Sequence, residues 1–388
     1  MVKKIPKNVV ILSVVSFFND IASEMIYPIV PLFLTSVLHA PVMVVGLIEG
    51  IAEATASIVK FVAGYISDKV RKRKIFVVLG YTLGSISKLL IGLATAWPFV
   101  LFARFIDRTG KGLRTSARDS LLLQNTTAKN RGFIFGFHRS LDSAGAVLGP
   151  LIALFLLNAL KENIRMVFLL AFIPATIGVI LLALFVTEKK SPDEKLFEKV
   201  RFNWSSLKPK FKYFFVVSMI FGLGNSSDAF LILRSKQLGL SVTLSVLAYV
   251  LYNAVQTLFA TPAGSLADRI GARKVFGYGL LVFAFVYFSF GFINSPFFIW
   301  VLFPVYGLYI AFTDGVSKAY ISELITERES GTYFGIYQMG IALTSFLASF
   351  IAGILWSRIH PSTTFFYGSS TAVLAFLILS YGKHTKKI

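Results

Sequence analysis

Long apolar runs recur along this chain, and they constrain its fold more than any other feature. Each run holds about 20 residues or more, and a helix of that length crosses a hydrocarbon layer of about 30 Å. The runs are continuous rather than alternating in polarity, which favours helices over a transmembrane barrel. We therefore predict an all-α membrane protein with twelve transmembrane helices, numbered here as spans one to twelve. The predicted spans cover residues 8–37, 42–66, 75–96, 97–123, 132–157, 164–187, 213–237, 242–266, 274–294, 297–323, 331–356 and 363–382.

Charged residues are placed unevenly around these spans. The 388 residues carry a formal net charge of +20, which by itself could indicate a nucleic-acid partner. The basic residues, however, concentrate at the termini and in alternate loops, as in residues 69–74 and 189–212. By the positive-inside rule we predict that both termini are cytoplasmic, that the protein lies in the inner (plasma) membrane, and that nucleic acid is not a partner. Few basic residues lie near the opposite face: Lys161, Arg165, Arg234, Lys236 and Arg358.

The two halves of the chain repeat each other at an offset of about 200 residues. The segment GYISDKVRKRK at residues 64–74 matches GSLADRIGARK at residues 264–274. We predict two pseudo-symmetric six-helix bundles, residues 1–187 and 213–388. A cytoplasmic linker, residues 188–212, would join them, because its charges are too many to enter lipid. Paired membrane halves of this kind are typical of secondary transporters.

The repeated segment carries a specific signature. Both copies match G-x-x-x-D-[RK]-x-G-[RK]-x-[RK], except that Arg71 stands where the first copy should have glycine and Ala272 stands where the second copy should have Arg or Lys. In this the chain resembles the major facilitator superfamily over essentially its whole length. The resemblance implies the major facilitator fold, a small-molecule substrate, a lipid bilayer as surroundings and a monomer. We expect the signature carboxylates to act as gate latches that hold helix amides or arginines. The gate residues are Gly64, Asp68, Arg73, Gly264, Asp268 and Arg273.

Span five carries a second resemblance, which bears on the direction of transport. Gly136, Gly145, Gly149 and Pro150 follow G-x8-G-x3-G-P, similar to the antiporter motif of the superfamily's exporters. Gly145 and Gly149 share one helix face and would let a neighbouring helix approach closely. An ordinary packing face of small residues is the alternative interpretation.

Ionisable groups inside the spans point to a wet interior. Each costs about 2.5 to 3.5 kcal/mol at mid-bilayer, so they must face one another or water. The resemblance places spans one and four on the central path, which predicts that Asp20 and Glu24 lie opposite Arg104 and Arg108. Either acid could titrate and couple transport to protons, or the pairs could be permanent and structural. Lys88 has no obvious partner. The candidates for proton coupling or ion pairing are Asp20, Glu24, Glu49, Glu53, Arg104, Asp107, Arg108 and Asp142.

The second half has lost most of these charges, and amide and aromatic groups remain in its spans. Such groups on rigid helices suit recognition of a small amphiphilic solute. The alternative is plain packing, in a chain with 39 phenylalanines and 15 tyrosines. The candidates for the substrate cavity are Asn19, Asn225, Asp228, Asn253, Gln256, Tyr306, Tyr309, Asp314 and Lys318.

Together these features predict a secondary active transporter that moves a small organic solute by alternating access. Proton-coupled efflux is the leading hypothesis, and a proton- or Na⁺-coupled uptake symporter is the nearest rival. A non-transporting receptor is a third hypothesis. We do not expect an enzyme, a metal site or a cofactor, because the chain has no cysteine, only four histidines and no catalytic or P-loop motif.

Overall fold

The computed structural model describes residues 5–70, 72–124, 131–188, 207–324 and 330–381, in which every regular element is a helix. A π-helical turn at Phe33–Val37 extends α2, and a 3₁₀ turn at Pro296–Phe298 precedes α12. The helices are α1 Lys7–Ile26, α2 Val30–Leu32, α3 Val42–Val70, α4 Arg73–Leu93, α5 Trp97–Leu123, α6 Arg131–Ala159, α7 Ile164–Phe185, α8 Pro209–Gly222, α9 Ala229–Gln237, α10 Val242–Ile270, α11 Ala272–Phe292, α12 Ile299–Leu324, α13 Ser330–Arg358 and α14 Pro361–Tyr381.

These helices form the twelve predicted spans, and the all-α fold class is confirmed. Within the described ranges, ten helical stretches are long and apolar enough to cross a membrane. The other two spans differ for separate reasons. Span four, formed by α5, is long enough at 27 residues but carries a row of charged side chains. Span seven consists of two shorter helices, α8 and α9, of 14 and 9 residues.

Spans one and seven depart from regular α-helices, although the helical stretch Lys7–Val37 of span one is among the ten that are long and apolar enough to cross a membrane. Span one is interrupted between α1 and α2, where Pro28 and Pro31 lack the amide hydrogen that an unbroken helix needs. Span seven is interrupted between Gly222 and Ala229 by the sequence LGNSSD, which is rich in turn-forming residues. Helix α8 begins at Pro209, inside the predicted linker, whose residues 189–206 lie outside the described part of the chain.

The chain divides into two compact units, residues 1–40 with 51–195 and residues 41–50 with 196–388. In the first unit α1 packs against α6 and α7, and α4 packs against α5 and α7. In the second unit α8 packs against α13 and α14, and α11 packs against α12 and α14. Each unit therefore uses the same packing plan, as expected from the sequence repeat.

The matching helices α4 and α11 are each closed at their C-terminal end by an arginine, although the two arginines come from non-equivalent helices, α7 and α9. Arg165 Nη1 donates hydrogen bonds to the carbonyl oxygens of Gly92 and Ala94, 3.1 and 2.6 Å away, at the end of α4. Arg234 Nη2 donates to the carbonyl oxygen of Ile293, 2.7 Å away, at the end of α11. The last carbonyls of a helix have no partner within it, and cations stabilise that end. These contacts give a structural role to two of the few basic residues on the sparsely charged face.

Candidate functional site

The glycines of the predicted antiporter motif bring α6 against α1 in the first unit. A methyl group added at Gly145 would lie 2.5 Å from the carbonyl oxygen of Phe17 and 3.1 Å from Asp20 Cβ. A methyl group at Gly149 would lie 2.9 Å from Glu24 Cβ. The two predicted acids of span one therefore stand directly beside the glycine face, and α6 continues through Pro150 to Ala159.

Asp107 is the centre of an ion-pair cluster between α4 and α5. Its Oδ1 lies 3.6 Å from Lys88 Nζ, and its Oδ2 lies 3.9 Å from Arg104 Nη1 and 3.7 Å from Arg108 Nε. Lys88 is fully buried and also donates to the Gly84 carbonyl oxygen at 2.8 Å. The lysine without an obvious partner in the sequence is thus bound to a carboxylate one helix away.

Asp142 of α6 connects α1 to the basic face of α5. It accepts a hydrogen bond from Ser16 Oγ at 2.5 Å, and Arg118 Nη1 donates to the same hydroxyl at 3.0 Å. Asp20 and Asp142 face each other closely enough to share a hydrogen bond. Such a bond needs a proton on one of the two carboxyl groups, because an ionised carboxylate only accepts.

Arg114 is a member of this network that the sequence analysis missed. Its Nη1 donates to Asn19 Oδ1 at 2.9 Å, and its guanidinium lies 4.5 Å from the centre of the Tyr81 ring. Asn19 is almost fully buried and donates in turn to Asp20 at 3.3 Å, so it belongs to the charge network of the first unit. The four-residue spacing of Arg114 and Arg118 along α5 was the signal that could have identified Arg114.

These side chains surround a cavity of about 270 Å³ within the first unit. Its wall carries five basic and four acidic side chains, so a solute or water inside it meets charge of both signs. Asp20 and Glu24 share this cavity with Arg104 and Arg108, whereas the ion pairs of those arginines described above are made with Asp107. The lining residues are Asp20, Ser23, Glu24, Ile26, Tyr27, Arg104, Asp107, Arg108, Lys111, Arg114, Thr115, Arg118 and Asp142.

Two further acids were predicted on span two. Glu53 interacts electrostatically with Arg108 and Lys111, so it extends the charge network to α3. Glu49 lies one turn earlier on the same helix and is 3% exposed. His138 on α6 is buried, and its Nδ1 lies 3.3 Å from Ser13 Oγ of α1.

The second unit contains a different kind of polar centre, built on Asp228 at the break between α8 and α9. Tyr252 of α10 donates its hydroxyl to Asp228 Oδ2 at 2.6 Å, and Tyr306 of α12 donates to Oδ1 at 2.6 Å. Tyr306 packs against Tyr309, with ring centres 5.1 Å apart. Both oxygens of one carboxylate are thus held by tyrosines from two other helices.

The remaining substrate-cavity candidates lie in different settings. Asn225, Asn253 and Gln256 are half-buried in the same unit, and Asn253 Nδ2 donates to the Tyr249 carbonyl oxygen at 3.0 Å. Asp314 and Lys318 form an exposed ion pair at 3.1 Å on successive turns of α12.

The gate signature is described in part. The side chains of Asp68 and Asp268 and the surroundings of Gly64 lie outside the described part of the structure, so the predicted latch stays a prediction. Arg73 is held by its backbone: its amide donates to Glu188 Oε1 at 2.5 Å, at the start of α4. Arg273 donates to the Leu379 carbonyl oxygen and lies over the Tyr213 ring at 5.8 Å. Gly264 has no neighbouring atom that an added methyl group would touch.

Comparison with known proteins agrees with this architecture. The model of the Major Facilitator Superfamily matches residues 12–246 and 214–387. An uncharacterised MFS-type transporter of Methanocaldococcus jannaschii is 38% identical over 98% of this chain and 96% of its own length. An uncharacterised protein of Mycobacterium tuberculosis is 26% identical over 86% of this chain and 82% of its own length.

Solved structures of transporters share the fold. The nucleoside transporter NupG has a TM-score of 0.78 at 13% identity and covers 98% of this chain and 100% of its own. A D-xylose-proton symporter has a TM-score of 0.74 at 17% identity and covers 96% of each chain. The chain therefore belongs to the major facilitator superfamily, whose members are multi-pass membrane transporters of small molecules.

Proposed function

We propose that this transporter exports a small organic solute in exchange for protons. The observation that carries the proton coupling is the facing pair Asp20 and Asp142, which can share one proton between α1 and α6. The pair lines the same cavity as Arg114 and Arg118, so its charge acts directly on basic side chains of α5.

The charge balance of the cavity changes when this pair gains or loses a proton. With both carboxylates ionised, the pair carries two negative charges that attract Arg114 and Arg118. With one proton bound, half of that attraction is lost, and at short range in a low-dielectric interior this is a large change. A proton that binds the two conformations of a transporter unequally shifts the equilibrium between them. The three helices α1, α5 and α6 are therefore the proposed coupling element.

Export is supported by the glycine face of α6. Gly145 and Gly149 fit the antiporter motif of exporters in the superfamily, and in this chain they contact the helix that carries Asp20 and Glu24. The motif and the proposed proton site therefore belong to one helix pair. Exchange in opposite directions needs solute and proton binding to exclude each other, so that the transporter changes conformation with one or the other bound.

We further propose that the transporter works as a monomer in the plasma membrane with both termini in the cytoplasm. The basic loops support this orientation. Arg165 and Arg234 are basic residues near the opposite face, where the rule expects few. Each donates a hydrogen bond to a carbonyl oxygen at a helix end, which gives it a structural role there.

Purified protein in vesicles with a trapped pH-sensitive dye would test the function. A panel of organic solutes is added outside or preloaded, and proton movement is followed with solute movement. We expect some solutes to drive protons in the opposite direction. Asp20→Asn and Asp142→Asn should lose this coupling but still exchange labelled solute across the membrane. Glu162→Gln, at an exposed loop position, is the control.

Two outcomes would contradict the proposal. Solute and protons moving in the same direction would indicate the rival symport mechanism. Full proton coupling in Asp20→Asn would remove the carboxyl pair as the coupling site.

A further inference from the structure

Two basic side chains in the cavity of the first unit differ from their neighbours on α5. The three other arginines of this row pair with acids of the same helix at 3.0 to 3.9 Å. Lys111 and Arg114 make no ion pair with an acid in the part of the chain that the structure describes. Glu53 acts on Lys111, and Asp20 acts on Arg114, at longer range. Positive charge inside a membrane protein is costly unless an anion balances it, so these two side chains are suited to bind one.

Lys111 and Arg114 are placed to hold one oxyanion together. They lie three residues apart, so they are neighbours on one face of α5, about 4.5 Å apart along its axis. Both line the cavity, and Lys111 is exposed. Arg114 is 7% exposed, and the groups it contacts, the amide oxygen of Asn19 and the ring of Tyr81, are neutral. A guanidinium carries several N–H donors, so the bond to Asn19 leaves others for a carboxylate or a similar group.

The part of the cavity wall formed by α1 and α6 is acidic. Asp20 is half-buried, lines the cavity and shares a hydrogen bond with Asp142. Such a pair holds one proton between two carboxyl groups. A positively charged nitrogen can take the place of that proton, because an ammonium group donates hydrogen bonds to ionised carboxylates. The displaced proton then passes to water.

The direction of coupling distinguishes solutes with one charge from solutes with two. A purely anionic solute would bind more tightly when the carboxyl pair holds its proton, because the protonated pair repels it less. Solute and proton would then bind together, which gives symport. A purely cationic solute would be repelled by Lys111 and Arg114 and would leave them without an anion. A solute with both charges satisfies the basic side chains and displaces the proton, as exchange requires.

We propose that the cavity binds a zwitterionic solute, with an oxyanion group such as a carboxylate on Lys111 and Arg114 and a basic nitrogen at Asp20 and Asp142. This inference rests on the proposed function and specifies its substrate class. The cavity volume of about 270 Å³ indicates a small molecule, because pockets for drug-sized ligands are about 300 to 1,000 Å³.

Binding to purified protein tests the substrate class without any ion gradient. The probes are 4-aminobutanoate, 6-aminohexanoate and 8-aminooctanoate, which differ in the distance between their two charges. Each is matched with the carboxylic acid and with the alkylamine of the same chain length, which carry only one of the charges. We expect at least one zwitterion to raise the Tm of the protein in detergent, at concentrations at which both matched compounds have no effect.

Variants locate the two ends of the bound solute. Lys111→Gln should weaken zwitterion binding about tenfold or more, and Lys111→Arg should keep part of it. Asp20→Asn should weaken binding as well, and should remove the advantage of the zwitterion over its matched acid. Lys210→Gln removes an exposed lysine at the start of α8 and is the control. Size-exclusion profiles verify that each variant is folded.

Proton release connects the bound solute with the coupling site. In weakly buffered solution, binding of a zwitterion should release the proton shared by Asp20 and Asp142, which a pH-sensitive dye detects. Asp20→Asn should abolish this release, whereas Lys210→Gln should not change it.

Three results would overturn the proposal: no binding by any of the zwitterions, equal binding by a matched acid or amine, or unchanged zwitterion affinity in Lys111→Gln. Failure of the proposed function gives a different result. If a zwitterion binds through Lys111 and Asp20 but releases no proton, the coupling proposal fails and this substrate class stands. If a solute with one charge or none exchanges for protons in vesicles and Lys111→Gln does not affect it, only the substrate class fails.

Discussion

The two units of this transporter have the same helix plan but opposite interiors. The first unit is held together by buried charges, with Asp107 of α5 paired with Lys88 of α4 and with Arg104 and Arg108 of its own helix. The second unit has uncharged residues at the positions that match this cluster at an offset of 200, including Pro304, Gly307 and Ala311. In its place are rings packed around Asp228. Duplication has therefore conserved the packing of the helices and not the chemistry inside them.

The charged cluster of the first unit has no counterpart at the matching positions of the second unit. The positions that match Arg104, Asp107 and Lys111 are all uncharged. Removing only one would leave its partner charged in a low-dielectric site, which is strongly unfavourable. The charged side chains of the first unit are therefore expected to depend on one another for stability. Single substitutions should then change stability by different amounts in the two halves.

The largest effect is expected at the centre of the charged network. Asp107→Asn leaves Lys88, Arg104 and Arg108 facing one another without the shared carboxylate. We expect a loss of about 3 to 5 kcal/mol in stability, as for other broken buried ion pairs. Asp314→Asn in the second unit breaks an exposed pair and should cost less than about 1 kcal/mol. Chemical denaturation in detergent measures the loss of stability in each variant. Equal losses would contradict the distinction between a charged interior in the first unit and a largely uncharged one in the second.

An intermediate effect is expected at the contact of α1 with α6. Gly149→Ala places a methyl group 2.7 Å from the carbonyl oxygen of Ile21, which is backbone and cannot rotate away. We expect a loss of about 1 to 3 kcal/mol, as for other overpacked contacts, together with impaired transport. Gly335→Ala on α13 meets open space and should be neutral or stabilising. A harmless Gly149→Ala would show that the close approach of the helices is not needed.

The smallest effect should be the same in both halves. Arg165→Met and Arg234→Met each remove hydrogen bonds to the last carbonyls of a helix while keeping a long apolar side chain. We expect each to lower stability by about 1 to 2 kcal/mol, because both arginines complete a helix end. Thermal unfolding of the two variants tests this. A large difference between their Tm values would show that the two arginine contacts do not contribute equally to stability.

Several features of the fold could be predicted because their causes are local. Apolar runs, the basic loops and the repeated GYISDKVRKRK segment are read directly from residue order. The breaks in spans one and seven were missed although their signals, two prolines and the stretch LGNSSD, are present in the sequence. Hydropathy alone does not register such a break, because prolines and turn-forming residues can interrupt a helix inside an apolar run.

The partners of the charged residues could not be predicted in the same way. The sequence placed Asp20 opposite the arginines of span four by resemblance, and the structure also sets it against Asp142 of α6. Arg114 was missed, and Lys88 had no partner until α4 and α5 were placed side by side. Side-chain partners on different helices depend on the rotation and depth of each helix, which no single helix encodes.

From residue order alone, this chain is determined to be a duplicated bundle of membrane helices with charge concentrated in its first half. Backbone hydrogen bonding and burial in lipid act within each helix, so they leave a readable pattern. Only the tertiary structure decided that Asp107 binds Lys88, that the α6 glycines press against Asp20 and Glu24, and that two tyrosines hold Asp228. Those contacts arise from packing between distant helices, where a shift of a few ångströms exchanges one partner for another.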